Sequence, residues 1–244
     1  MSAAATPDGL RAGEGARIHA FGALRQAILS GDFAPGQRLV EEELAGTLGV
    51  TRQSLRAALL DLTAEGLVER IPNRGARVRV VSTEEAVAIT ECRMALEALC
   101  AAKAAERITD DEAAGLRELA ENLQRAVTEG NPVKYSELNR ELHRRVITIS
   151  GQTVAIGLLE RLHAQLVRHQ FQLALRPGRP EVSLAEHLDI AYAVAERRPR
   201  DAERAIRHHL ASVIVALRAG DPLDRTGPPS SAATMTDARL THQH

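Results

Sequence analysis

A chain of 244 residues with no tryptophan, three phenylalanines and two tyrosines has to fill its interior with aliphatic side chains. The supply is a hydrophobic content of 44%, and an interior of Leu, Ala, Val and Ile favours helices, so a mostly-α fold is predicted. At this length one large domain or two ordinary ones is expected. No uninterrupted apolar stretch reaches membrane-spanning length, and residues 1–15 lack the apolar run of a secretory signal, so a cytoplasmic protein is expected. Cys92 and Cys100, eight positions apart in a helical pattern, fit neither a disulfide framework nor a C-x-x-C metal site.

Apolar residues at three- and four-residue spacing, punctuated by caps and breakers, organise the chain. Residues 1–15 are small, polar and glycine-containing, and residues 221–244 are rich in Pro, Ser, Thr and Ala without periodicity; both ends are expected to be disordered. The run Ala76-Arg77-Val78-Arg79-Val80-Val81 gives way to a helix start at Ser82-Thr83-Glu84-Glu85, where Ser82 and Glu85 have capping-box spacing. Two domains are therefore expected, 16–81 and 82–220. In the second, helices are predicted over 83–107, 110–129, 132–149, 153–175, 184–197 and 200–218, with Thr109/Glu112 and Ser183/Glu186 repeating the capping-box spacing.

In the first domain a helix over Ile18–Ser30 ends at Gly31, and a short helix over Glu41–Leu48 closes at Gly49. A third follows from Thr51 to near Gly66. Two helices joined by a three-residue turn containing Gly form a helix-turn-helix. Leu67-Val68-Glu69-Arg70, a Pro-Asn-Arg-Gly turn and the basic run after it predict a two-stranded wing. The net charge of −1 excludes a uniformly basic surface, but the wing carries Arg70, Arg74, Arg77 and Arg79 with no acid between Glu69 and Glu84. The third helix opens Thr51-Arg52-Gln53-Ser54-Leu55-Arg56. An Arg there can grip guanine O6 and N7, while Thr, Gln and Ser reach phosphates or other base edges. Taken alone, each arginine reads as a solvated face; their order along the chain points to double-stranded DNA.

The second domain places polar residues on apolar stripes. Asn139 and His143, four apart, share one face of helix 132–149. His187 falls on the stripe of Leu184, Leu188, Ala191 and Val194, and His209 on that of Ala202, Ile206, Val213 and Ala216, while His208 turns away. Three imidazoles and a side-chain oxygen in a helical bundle would suit a borderline metal. Spacing alone does not make them converge, and three readings stay open: a metal-assisted regulator, a hydrolytic metalloenzyme, and a dimer module whose histidines fill the core. No carboxylate base is evident beside the histidines, and an enzyme has no use for a winged helix.

The stretches Leu39-Val40-Glu41-Glu42-Glu43-Leu44-Ala45, Leu48-Gly49-Val50-Thr51-Arg52, Leu55-Arg56-Ala57-Ala58-Leu59, Glu65-Gly66-Leu67-Val68 and Arg74-Gly75 resemble the winged helix of GntR-type regulators. Arg93-Met94-Ala95-Leu96-Glu97, Asn139-Arg140-Glu141-Leu142-His143, Glu186-His187-Leu188 and Arg207-His208-His209-Leu210 resemble the FCD ligand-binding domain of their FadR-like branch. The resemblance implies a winged helix followed by an antiparallel helical bundle in a homodimeric repressor released by a small organic acid. It implies DNA contacts at Arg52, Arg56 and Gly75, beside which Thr51, Gln53, Ser54, Arg74 and Arg77 are candidates. It further implies a divalent metal, Zn or Ni with Mn as a further option, on Asn139, His143, His187 and His209, and an effector contact at Arg93. Ser54, Ala57 and Glu42 depart from residues common in the family, Pro, Glu and Arg respectively.

Overall fold

The structure, a computed structural model, describes residues 12–71, 75–174, 176 and 178–219, with backbone alone for 168, 170–172 and 174. The hairpin turn with Arg74, and residues 1–11 and 221–244 of the ends 1–15 and 221–244 on which disorder was expected, lie outside the described residues; Glu14 and Gly15, expected to be disordered, are helical.

The N-terminal part runs α1 (Glu14–Ser30), β1 (Arg38–Leu39), α2 (Glu41–Leu48), α3 (Arg52–Ala64), β2 (Val68–Ile71) and β3 (Gly75–Val78). Helix α1 starts four residues before its periodicity suggests, because Ala16 is buried and Arg17 pairs with Glu14 and with Asp61 of α3. Gly49 ends α2 in the left-handed conformation at φ 62, a position that disfavours a Cβ. Two residues later Thr51 caps α3, its hydroxyl accepting from the Ser54 amide at 3.2 Å. Leu55, Ala58, Leu59 and Leu62 then face inward against Ala20 and Leu24 of α1. Each buried leucine contributes about 1.5–3 kcal/mol.

The wing differs from the expected two strands. Its sheet is three-stranded and antiparallel in the order β1-β3-β2, with Leu39 opposite Ala76 and Arg38 opposite Arg77. Strand β1 has two residues, too few to show an alternating pattern; it is held by the burial of Leu39.

The remainder is helical: α4 (Thr83–Arg107), α5 (Asp110–Thr128), α6 (Pro132–Ile149), α7 (Thr153–Ala174), α8 (Arg179–Ala195) and α9 (Pro199–Arg218). Thr109 and Glu112 form a complete capping box at α5. At α4 only half the box forms, because the Glu85 carboxylate turns to Arg79. The expected cap at Ser183 does not form. Helix α8 begins at Arg179 after Gly178 (φ 78), with Pro180 in the first turn, where its missing N–H costs nothing. Ser183 is buried within the helix, and Glu186 reaches His209 instead of a cap.

Helices α4, α5, α6, α8 and α9 enclose the main core, around Leu116, Leu123, Leu142, Ile190, Ile206 and Leu210. Helix α7 lies between the two cores and buries Ala164 among the winged-helix residues. One position on, Gln165 donates to the Glu65 carbonyl (3.0 Å) at the end of α3 and accepts from Arg79 (3.2 Å). Arg79, expected on the wing, is therefore turned toward α4 and α7.

Candidate functional site

Arg52, Gln53 and Arg56 are exposed on the first turns of α3. Both arginines meet acids from the start of α2: Arg52 with Glu42 at 2.5 Å and Arg56 with Glu41 at 2.6 Å. Exposed pairs of this kind are worth about 0–1 kcal/mol, little enough for a phosphate or guanine to displace. Thr51 is half-buried and engaged as the cap. Ser54, expected on the exposed face, is 6% exposed and accepts from the Thr51 hydroxyl at 3.0 Å, so it belongs to the cap and not to the groove-facing row. Gly75 opens β3 at φ +84 with only the Leu39 carbonyl near a would-be Cβ. Arg77 lies across the sheet from Glu69 and pairs with it at 2.6 Å.

In the helical part, α6, α8 and α9 bring His143, His187 and His209 together, with one ligand nitrogen from each within 4.8 Å of the others. His187 and His209 are nearly inaccessible, whereas His208 is exposed. Each Nδ1 is held from behind. His143 Nδ1 meets Glu97 (2.8 Å), His209 Nδ1 meets Glu186 (2.8 Å) and His187 Nδ1 meets the Tyr135 hydroxyl (2.8 Å). A carboxylate behind an imidazole fixes Nδ1 as the protonated atom and leaves the Nε2 lone pair free.

The Nε2 atoms of His187 and His209 stand 3.3 Å apart. Burial, and then the neighbouring imidazoles, holds both rings well below the ordinary imidazole range, so both are neutral. Glu97 is 1% exposed; burial would raise its carboxyl, but Arg93 and His143 outweigh that and hold it well below the usual carboxylate range. It also accepts from Arg93 Nε (2.9 Å) and contacts His163 Nε2 (2.9 Å) of α7.

These donors fit a divalent ion. Two nitrogens about 2.0–2.1 Å from one borderline metal lie about 2.8–3.4 Å apart at octahedral to tetrahedral angles, which spans the observed separation. Among the described residues, two buried side-chain atoms have no hydrogen-bond partner, Asn139 Oδ1 and Arg179 Nη2. The first is a bare acceptor on the same helix face as His143. A cavity of about 800 Å³ is lined by Asn139, the three histidines, Arg93 and Arg179, and extends to Phe21 and Arg25 of α1. That size suits a small ligand.

Glu97, Glu186, Tyr135, His163 and Arg179 were missed as parts of this site. Carboxylates do stand beside the histidines, contrary to expectation, but on the Nδ1 side, where they orient the rings. Glu186 adjoins His187 and Glu97 lies four residues after Arg93, yet nothing local tells a helix which distant ring its carboxylate will meet.

A winged helix joined to a helical bundle, with a histidine-lined cavity, is the architecture of a DNA-binding transcription regulator. The chain belongs to the GntR family: residues 18–78 match the bacterial regulatory proteins of the gntR family and residues 88–212 match the FCD domain. It is 29% identical over 195 residues to the HTH-type transcriptional repressor RspR of Escherichia coli (strain K12), covering 80% of this chain and 86% of that one. It is 30% identical over 180 residues to the Nta operon transcriptional regulator of Aminobacter aminovorans, covering 73% and 83%. The fold is similar to that of E. coli McbR/YncC, with a TM-score of 0.69 at 22% identity over 84% of this chain and 97% of that one. The family and these relatives are regulators and not enzymes. No described helix is long and apolar enough to cross a membrane.

Proposed function

We propose that this chain is a cytoplasmic, homodimeric repressor whose C-terminal domain binds a divalent metal, Zn or Ni with Mn as a further option, and a small carboxylate effector. The observation that carries this reading is the set of three imidazoles with every Nδ1 occupied from behind, beside an unpartnered Asn139 oxygen. His143, His187, His209 and Asn139 would hold the ion, which would supply a Lewis-acidic, positively charged floor for an anionic ligand. The charge balance favours an acid. Imidazole and amide groups ligate a metal in their uncharged forms, and the buried carboxylates Glu97 and Glu186 are already faced by Arg93 and Arg179. A divalent charge there has no internal counter-charge, and a carboxylate would provide it. Arg93 stays in this reading as a cavity-wall cation shared between Glu97 and the ligand.

The chain divides, on this reading, near residue 82 into a DNA-binding domain and a sensing and dimerisation domain. Two copies related by a two-fold axis would read a pseudo-palindromic operator through Thr51, Arg52, Gln53, Arg56 and the wing residues Arg74, Gly75 and Arg77. Helix α7 couples the domains. His163 touches Glu97 behind the histidine site, and two residues on Gln165 holds the end of α3. Repression is favoured by the similarity to RspR, a transcriptional repressor.

Metal analysis of purified protein, with melting curves before and after Zn²⁺ addition, tests the reading. About one ion per chain and a raised melting temperature are expected, because a ligand specific to the folded state stabilises it. His143→Ala, His187→Ala and His209→Ala should each lose the ion, and His208→Ala should keep it. Stoichiometric Zn²⁺ in all three inner variants would exclude the site.

A further inference from the structure

The two buried atoms without partners have opposite character. Asn139 Oδ1 is an acceptor, which a cation satisfies; Arg179 Nη2 is a donor, which a cation repels. A metal at the histidines therefore leaves Nη2 without a hydrogen bond, although Glu186 faces the charge of the arginine, and a buried donor without an acceptor is costly to retain. Arg179 is in the first turn of α8, its side chain 13% exposed, and it lines the same cavity as the histidines. Its other terminal nitrogen donates to Ser212 Oγ at 2.8 Å, which fixes the guanidinium plane. The nearest carboxylate, Glu186, is 3.6 Å from Nη2, beyond hydrogen-bond reach, and its Oε2 is occupied by His209 Nδ1. Arg93 differs, because its Nε is already bonded to Glu97.

We infer that Arg179 is the specificity-determining residue of the effector cavity, and that the effector is a small dicarboxylate whose second carboxylate accepts from Arg179 Nη2. This rests on the metal-site reading for the position of the first carboxylate only. A monocarboxylate held at the histidine end would leave Nη2 bare. An acid with acceptor oxygens at both ends satisfies the metal floor and the arginine together, and a charge-assisted bond to a pre-oriented guanidinium selects for that second group.

The test is calorimetric titration of the full-length protein with acetate, malonate, succinate and glutarate, with and without one equivalent of Zn²⁺, in wild type, Arg179→Gln and Arg179→Lys. Wild type should bind at least one dicarboxylate at least tenfold more tightly than acetate. Arg179→Gln should lose roughly ten- to a hundredfold in dicarboxylate affinity, and clearly less in acetate affinity. Arg179→Lys should recover part of the loss. Dicarboxylate affinity in Arg179→Gln within twofold of wild type would overturn the inference, as would a wild type that prefers no dicarboxylate over acetate. A wild type that takes up no Zn²⁺ refutes the metal reading separately. The Arg179 assignment is then decided by the same comparison in metal-free protein.

Discussion

Glu97→Gln is the substitution that most directly probes how the histidine site is built. The Glu97 carboxylate faces Arg93, His143 and His163 from a position with 1% exposure. Gln keeps the shape but removes the charge and points an N–H₂ at groups that are themselves donors. Breaking one side of a buried ion pair costs about 3–5 kcal/mol, because the partner charge is left uncompensated. In a chain of this size about 1 kcal/mol corresponds to 2–4 °C, so the melting temperature of metal-free protein should fall by roughly 6–20 °C. Loss of the group that orients His143 should also weaken Zn²⁺ binding by about 10–100-fold. The double variant Arg93→Met/Glu97→Met separates the two effects. It removes both charges and should recover much of the stability, yet it still lacks a partner for His143 Nδ1, so Zn²⁺ affinity stays low. Melting curves with Zn²⁺ titration of the three proteins decide it. Wild-type Zn²⁺ affinity in the double variant would refute the orienting role of Glu97, and an unchanged melting temperature in Glu97→Gln would refute the buried ion pair.

Arg52→Ala and Arg56→Ala should each cost about 1–3 kcal/mol of operator affinity by fluorescence anisotropy without lowering the melting temperature, whereas Glu42→Ala should strengthen DNA binding by removing an acid paired with Arg52; equal affinity in all three would show that α3 does not enter the groove. Gln165→Ala removes two interdomain hydrogen bonds of about 0.5–1.5 kcal/mol each. It should shrink the change in operator affinity caused by Zn²⁺ and succinate, and an undiminished change would remove α7 from the coupling route. Chelator-treated protein should lose stability as pH falls below about 6.5. The pKa values of His187 and His209 are lowered in the fold, so the unfolded chain takes up protons there that the folded chain does not, and stability rises with pH across that window. A flat melting temperature between pH 7 and 5 would contradict neutral, buried rings.

Much of the architecture was legible because it is local. Helix α2 ends at Gly49 and α3 is capped by Thr51, since a glycine able to adopt positive φ and a hydroxyl near a free amide act within one turn of chain. Helices α4 and α6 have the spans their stripes predict, 83–107 and 132–149, for the same reason. The phase of each stripe also placed His209 inward and His208 outward. Where two local signals competed, sequence reasoning chose wrongly: Ser183 and Glu186 have the spacing of a cap, but Gly178 and Pro180 start α8 earlier and leave Ser183 inside it. The pairing of β1 with β3, the turn of Arg79 toward Gln165, and the meeting of Glu97 with His143 join residues 39, 86 and 46 positions apart. No rule of periodicity or capping spans such separations, because the partner is chosen by how whole helices pack. Sequence alone therefore determined the apolar stripe that each helix turns inward, but not the burial of Ser54, which it placed outward; only the tertiary structure decided which atoms the buried polar groups meet, and it left Arg179 Nη2 without a hydrogen bond.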